Sequence, residues 1–365
     1  MVFSITLLLA CNFFSYAQAK KEITTEKVDI QQDSTITNIT KPQKSVTRGT
    51  VTVEGKRINY QAVAGTLILK NKDEKPTCSV FYTAYFKADE NDVSQRPVTF
   101  IYNGGPGSAS LWLHMGAWGP QRVFLQDTQR IVPPYKTVNN DYSLLDASDL
   151  VFIDMPGTGF SRLITKEKGG AGDPKDFYSV DGDGNAFAQF IQNFLSTYNR
   201  WNSPKYLFGE SYGTFRSAVV ANILENEDNI DLNGVILLSQ LLSYDKSQDA
   251  RSHPGGILSY VLALPTEAAA AWYHHKIPNR PAELVPFLDE VKHFAITDYS
   301  LALLQGSLLD TATFNRMVEK LHDYIGLPKN YIRKANLRIG LARFEKELLA
   351  DEDKITGAYD AMFTG

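Results

Sequence analysis

The stretch Tyr206-Leu207-Phe208-Gly209-Glu210-Ser211-Tyr212-Gly213 runs from a short apolar segment into the pattern G-x-S-x-G. It continues into residues 218–224, which have helical character. A serine between a strand and a helix sits on a turn so tight that the side chains around it crowd one another. Gly209 and Gly213 relieve that crowding, and the Ser211 hydroxyl is thrust out at the strand's end. The amino end of the following helix adds a favourable field for developing negative charge. An ordinary turn serine is the competing reading. The strand–turn–helix context favours a nucleophile.

The same arrangement recurs on either side. Residues 98–102 are apolar and lead into Asn103-Gly104-Gly105-Pro106-Gly107. Residues 150–153 lead into Asp154-Met155-Pro156-Gly157-Thr158-Gly159, and residues 235–238 form a fourth apolar run. Continuous apolar runs of this length are typical of parallel strands buried on both faces. Between the second and third runs, Phe187, Phe190, Ile191, Phe194, Leu195 and Tyr198 recur at helical spacing. Strand alternating with helix predicts an α/β fold, a mostly parallel sheet flanked by helices. In such sheets the site lies at the carboxyl ends of the strands, where the glycine-rich turns fall.

Upstream, residues 50–53 and 58–69 alternate like antiparallel strands around a Glu54-Gly55 turn, and residues 78–86 form another strand with Cys78 as a core residue. Beyond about residue 240 the strand signal fades. Residues 256–274, 281–305, 311–325 and 331–350 look helical, the third carrying Phe314, Met317, Val318, Leu321, Tyr324 and Ile325 on one face. They are read as a helical lid inserted over the sheet.

The glycine pair at 104–105 leaves backbone N–H groups unshielded, able to donate to an oxyanion. Alone it would be a plain Gly-Pro turn. Beside a serine elbow it reads as part of a site. A phosphate loop is the rival, but neither Gly-Lys-Ser nor G-x-G-x-x-G spacing is present.

Taken in order, residues 102–107, Trp118-Gly119-Pro120, residues 154–161 (DMPGTGFS) and residues 209–213 (GESYG) resemble the serine carboxypeptidase family, of the α/β-hydrolase fold. The similarity covers roughly residues 80–240. It implies a serine-type carboxypeptidase that removes C-terminal residues of peptides through an acyl-enzyme on Ser211. It further implies an oxyanion hole from the backbone amides of Gly105 and Tyr212, and a terminal-carboxylate site from Asn103, Gly104 and Glu210. Glu210 can donate to a carboxylate only when protonated, so an acidic working pH is expected. The sequence departs from the family where Ser108-Ala109-Ser110 replaces the usual Cys-Ser-Ser. Ala117 stands where well-known members carry a second glutamate, and the Asp154 loop is one residue shorter. Terminal-carboxylate recognition is therefore expected to be weaker. An esterase or acyltransferase using the same serine is the alternative enzyme; a non-catalytic, peptide-binding hydrolase-like domain is the third reading.

A serine nucleophile needs a base, and the base an orienting acid, in this fold in the order Ser, Asp or Glu, His. His253, His274, His275, His293 and His322 follow Ser211, and none follows a strand pattern. His253 lies in a loop and is the remaining candidate; the others read as structural or solvent-facing. His114 precedes Ser211 and breaks the order. The acid and base are therefore expected beyond residue 365, and the chain is expected to be an incomplete family member, short of the last core strands, with little turnover. No cofactor is called for. Neither H-E-x-x-H nor EF-hand spacing occurs, and Asp181-Gly182-Asp183-Gly184 reads as a helix-entry turn with Asp183 near the N-cap.

The 365-residue chain carries a formal charge of −4, against the basic balance usual for nucleic-acid binders. Its only cysteines are Cys11 and Cys78, which excludes a disulfide framework and a cysteine-based zinc site. Residues 2–19 form an apolar run ending in Ala17-Gln18-Ala19 before Lys20 and Lys21. This resembles a secretory signal peptide, although no basic residue precedes the run; a membrane anchor is the alternative. An exported protein, periplasmic or secreted, with no stable membrane insertion after cleavage, is expected. The organisation read from the sequence is a signal peptide over 1–19, a polar linker over 20–48, a hydrolase core over 49–240 and a helical lid over 241–365.

Overall fold

The computed structural model describes residues 39–90, 92–125, 133–241, 243 and 256–365. Residues 1–19, read as a signal peptide, and His253 lie outside them. The first two strands, β1 (Lys44–Val53) and β2 (Lys56–Lys70), form an antiparallel hairpin with Val53 opposite Lys56. Glu54 and Gly55 both have positive φ, 47° and 77°, the left-handed pair that a two-residue hairpin loop requires. β1 begins at Lys44, inside the segment read as linker. Residues 44–48 are exposed and pair with β2 through the backbone, so no side-chain periodicity announces them.

β3 (Pro76–Lys87) pairs antiparallel with β2 and, on its other side, with β5 (Asp149–Ile153). From there the sheet is parallel: β5 beside β4 (Val98–Tyr102), β4 beside β6 (Lys205–Glu210), and β6 beside β7 (Gly234–Leu238). The order is thus β1-β2-β3-β5-β4-β6-β7. Every residue of β4 and β5 is buried, as their continuous apolar runs require. Their alternate side chains feed two cores. Phe100, Tyr102, Val151, Ile153 and Leu207 face one, and Ile101, Leu150, Phe152 and Phe208 face the other. β7 differs from the buried strand its composition suggests. As the last strand in the order it has one neighbour among the described residues, and Val235, Ile236 and Leu237 are 42%, 41% and 42% exposed.

Helix α1 (Val180–Thr197) covers the first face. Phe187, Phe190, Ile191, Phe194 and Leu195 are buried at the spacing read from the sequence. The Phe194 ring meets Tyr82, Phe100 and Tyr198 at centroid distances of 5.6, 5.5 and 4.5 Å. Its cap is Ser179, whose hydroxyl accepts from the Gly182 amide at 3.1 Å. Asp183 lies in the first turn after this cap, near the N-cap as the sequence suggests, and it is buried. Helix α2 (Tyr212–Asn222) follows β6.

The helical part has its own core. Helices α3 (Leu258–Tyr273), α4 (Leu284–Phe294) and α5 (Thr311–Ile325) pack Leu264, Ala271, Val291, Phe294, Val318 and Leu321 together. The face predicted for α5 is the one buried, with Phe314 packed at its margin. The single helix expected over 331–350 is two short ones, Lys329–Lys334 and Leu341–Glu347, broken where Asn336 and Leu337 take positive φ. The Leu337 carbonyl at the break accepts from the buried Tyr299 hydroxyl at 2.6 Å.

Candidate active site

The carboxyl ends of β4, β5 and β6 carry the glycine-rich turns. Ser211 joins β6 to α2 with φ 56° and ψ −123°, a left-handed conformation that a non-glycine residue adopts at a cost. The backbone is held there by three hydrogen bonds. The Ser211 amide donates to Leu238 O at 3.0 Å, and Ser211 O accepts from the Thr214 amide at 2.9 Å and its hydroxyl at 2.7 Å. The flanking glycines are demanded sterically. A Cβ on Gly209 would lie 2.0 Å from Gly213 O, and one on Gly213 would lie 2.9 Å from Tyr102 O. Ser211 is half-buried, and its hydroxyl bonds to no other described residue.

The loop after β4 packs directly on this turn. A Cβ on Gly104 would fall 2.4 Å from the Tyr212 amide nitrogen and 2.6 Å from Glu210 O, so only glycine admits the contact. Asn103, Gly104 and Glu210 come together: Asn103 Nδ2 donates to Glu210 Oε2 at 3.0 Å and the Gly104 amide to the same oxygen at 3.4 Å. Asn103 Oδ1 accepts from the Leu113 amide at 3.1 Å. Gly105 is exposed at the tip with φ 112°.

The loop after β5 is tied to its neighbours. Asp154 accepts from the Ser110 amide at 2.9 Å and the Phe160 amide at 3.1 Å. Burial raises its pKa, against the pull of those two amides and Arg162. A cavity of about 510 Å3 opens between this loop, the entry of α1 and the elbow, lined by Pro106, Met155, Thr158, Phe177, Val180 and Tyr212 among others.

The described histidines are engaged elsewhere or exposed. His114 Nε2 meets the Tyr85 hydroxyl at 2.6 Å and its ring stacks on Phe152 at 4.6 Å; burial lowers its pKa to about 4. His274 and His322 pair with the carbonyls of Ala361 and Leu327, while His275 and His293 are exposed. Ala117 lies in the His114–Trp118 turn, its carbonyl taken by Asn140 Nδ2 at 2.6 Å. No cluster of three or more metal-ligating side chains occurs among the described residues.

One feature of the site is not readable from local sequence. Arg216, on the second turn of α2, is wholly buried and joins Asp183 of α1 to the Asn103 carbonyl. The partners lie 33 and 113 residues away, and a basic residue inside an amphipathic helix gives no hint of inward orientation.

A serine elbow at the carboxyl edge of a largely parallel sheet, with a glycine loop packed on it, defines an α/β-hydrolase. Within that class the chain belongs to the serine carboxypeptidase family, whose model matches residues 54–276. It is 29% identical over 164 residues to the carboxypeptidase Y homolog of Arthroderma benhamiae, covering 44% of this chain and 29% of that protein. It is 28% identical over 174 residues to the pheromone-processing carboxypeptidase KEX1 of Saccharomyces cerevisiae, covering 46% and 23%. The solved structure of KEX1(delta)P, a prohormone-processing carboxypeptidase from the same yeast, aligns over 73% of this chain and 53% of its own, with 21% identity and a TM-score of 0.46. The matches thus span less than a third of either curated relative's length. No helix among the described residues is long and apolar enough to cross a membrane.

Proposed function

We propose that this protein is a serine-type carboxypeptidase acting through an acyl-enzyme on Ser211. The observation that carries the reading is the Ser211 elbow with Gly104 packed against the Tyr212 amide. That packing seats the glycine loop against the residue after the nucleophile, which supports a role for the Gly105 and Tyr212 amides in receiving the oxyanion. In the first half-reaction Ser211 Oγ attacks the scissile carbonyl and its proton passes through a base to the leaving amine. In the second, water releases the acyl group and restores the hydroxyl. The base is assigned to no described histidine.

The terminal carboxylate of the peptide is proposed to bind at Asn103, Gly104 and Glu210, which already share hydrogen bonds. The helices from residue 256 on are read as a lid, and residues 1–19 as an export signal whose removal would leave Lys20 as the first residue.

The direct test is a fluorophosphonate probe followed by peptide mapping. Labelling at Ser211, lost in Ser211→Ala, is expected. A folded sample that takes no label, or takes it elsewhere, favours a peptide-binding protein without an acyl-enzyme. Esters and acyl acceptors compared with peptides on the labelled protein separate the carboxypeptidase from an esterase or acyltransferase. Glu210→Gln tests the carboxylate site. It should flatten the pH dependence of binding for a peptide acid and leave that of the peptide amide alone; an unchanged acid profile removes Glu210 from the role.

A further inference from the structure

The Asn103 carbonyl lies one residue past the last rung of the β4–β6 ladder, which ends at Tyr102 opposite Gly209. Among the described residues no strand continues the ladder to it, and a buried carbonyl needs a donor. Arg216 supplies it. Its Nη1 donates to Asn103 O at 2.7 Å, and its Nε donates to Asp183 Oδ2, also at 2.7 Å. The guanidinium lies 4.3 Å from the Phe187 ring centroid, 5.2 Å from Tyr212 and 5.4 Å from Tyr102. The side chains of Arg216 and Asp183 are 0% and 3% exposed.

A buried ion pair is a poor device for stability alone, because desolvation offsets most of the attraction. This one is also incompletely satisfied, since Arg216 Nη2 is buried with no hydrogen-bond partner. Its geometry does something an apolar pair cannot. It links α1 through Asp183, and α2 through its own backbone, to the residue that also bonds Glu210. The glycine loop is thereby fastened to the same helix whose first amide it faces.

We propose that Arg216 is a positioning residue: its guanidinium holds the Asn103 carbonyl and so fixes the Gly104–Gly105 amides beside Ser211. The catalytic meaning of this brace rests on the function proposed above, but the brace itself is a property of the loop and is measured separately.

The test compares the full chain with Asp183→Leu/Arg216→Met, which replaces the ion pair by apolar side chains and keeps the fold within reach. Hydrogen exchange at the Gly104 and Ser108 amides is the first readout; these bond to Glu210 Oε2 and Gly104 O at 3.4 and 3.1 Å. The rate of fluorophosphonate labelling at Ser211 is the second. With melting temperature within about 5 °C of the parent, loop exchange is expected to rise roughly tenfold or more and labelling to fall by a similar factor, since each tenfold change corresponds to one lost hydrogen bond of ordinary strength. A purely structural pair would leave both local readouts unmoved once stability was restored. Exchange within about twofold of the parent overturns the proposal. If the parent itself takes no label, the carboxypeptidase reading fails while the exchange comparison still decides the brace. Should the double variant not fold, Arg216→Lys is read the same way, because one ammonium cannot span both Asp183 and Asn103.

Discussion

At the scale of single residues, the site is decided by where a Cβ has no room. Gly209 and Gly213 could be read as sterically required from the G-x-S-x-G pattern, because the pattern encodes a turn whose crowding is local. Gly104 was legible as one of a glycine pair, but the atom it avoids, the Tyr212 amide, belongs to another element. Gly209→Ala would force a Cβ to 2.0 Å from Gly213 O. It should cost about 3 kcal/mol or more of stability, because backbone rather than a movable side chain must yield. Urea unfolding of the variant measures this, and a loss below about 1 kcal/mol would mean the elbow relaxes more easily than its geometry implies. Gly104→Ala should spare the sheet and abolish labelling of Ser211, since the loop must leave the Tyr212 amide. Unchanged labelling together with an unchanged melting temperature would detach the loop from the nucleophile.

At the scale of elements, apolar periodicity carries most of the information. The buried strands, α1 and α5 were legible because each obeys one period throughout and buries one stripe or both faces. Three features escaped for a shared reason: their cause is not periodic. The start of β1 rests on backbone pairing, the break at Asn336 and Leu337 on two left-handed residues, and the Asp183–Arg216 pair on contact between distant helices. A second buried charge cluster also lies beyond pattern reading. Asp149, at the first position of β5, accepts from Arg96 Nε at 2.7 Å, from Arg200 Nη1 and from the Lys87 amide at 3.0 Å. Arg200 Nη2 continues to Arg96 O at 2.7 Å. This fastens β3, β5 and the segments leading into β4 and β6 at the edge opposite the site. Asp149→Ala leaves two buried guanidinium groups without their carboxylate and should destabilise the protein by about 3–5 kcal/mol. Labelling of Ser211 at a temperature where the variant remains folded should be unaffected. A labelling defect without loss of stability would show that the two ends of the sheet are coupled.

At the scale of the whole molecule, two titratable groups, one half-buried against the sheet and one inside the helical core, respond to pH in opposite senses. His114, against Tyr85 and Phe152 in the sheet, has its pKa lowered by burial from 6.5 to about 4. The unfolded chain therefore binds the proton first, and stability falls as pH drops from about 6.5 towards 4. Glu267 lies in the helical core on α3, 1% exposed, and its Oε1 has no hydrogen-bond partner. Its charge acts on Tyr299 and Tyr331 from neighbouring segments, and Tyr260 on its own helix acts on Tyr299; Arg338 acts on Tyr299, and Arg343 and Glu347 act on Tyr331. Desolvation raises the Glu267 pKa from 4.5 to about 8. The folded state here holds the proton that the unfolded chain releases, so stability is fully present below about 4.5 and declines as pH rises towards 8. Glu267→Gln keeps the shape and removes the titration. Its stability relative to the parent should therefore grow steadily between pH 5 and pH 8, by several kcal/mol at the upper end, and the gain should appear in hydrogen exchange of α3, α4 and α5 rather than of the sheet. A difference between variant and parent that stays constant over that range would mean the carboxylate finds water or a cation when it ionises, and the helical core would then be open at Glu267.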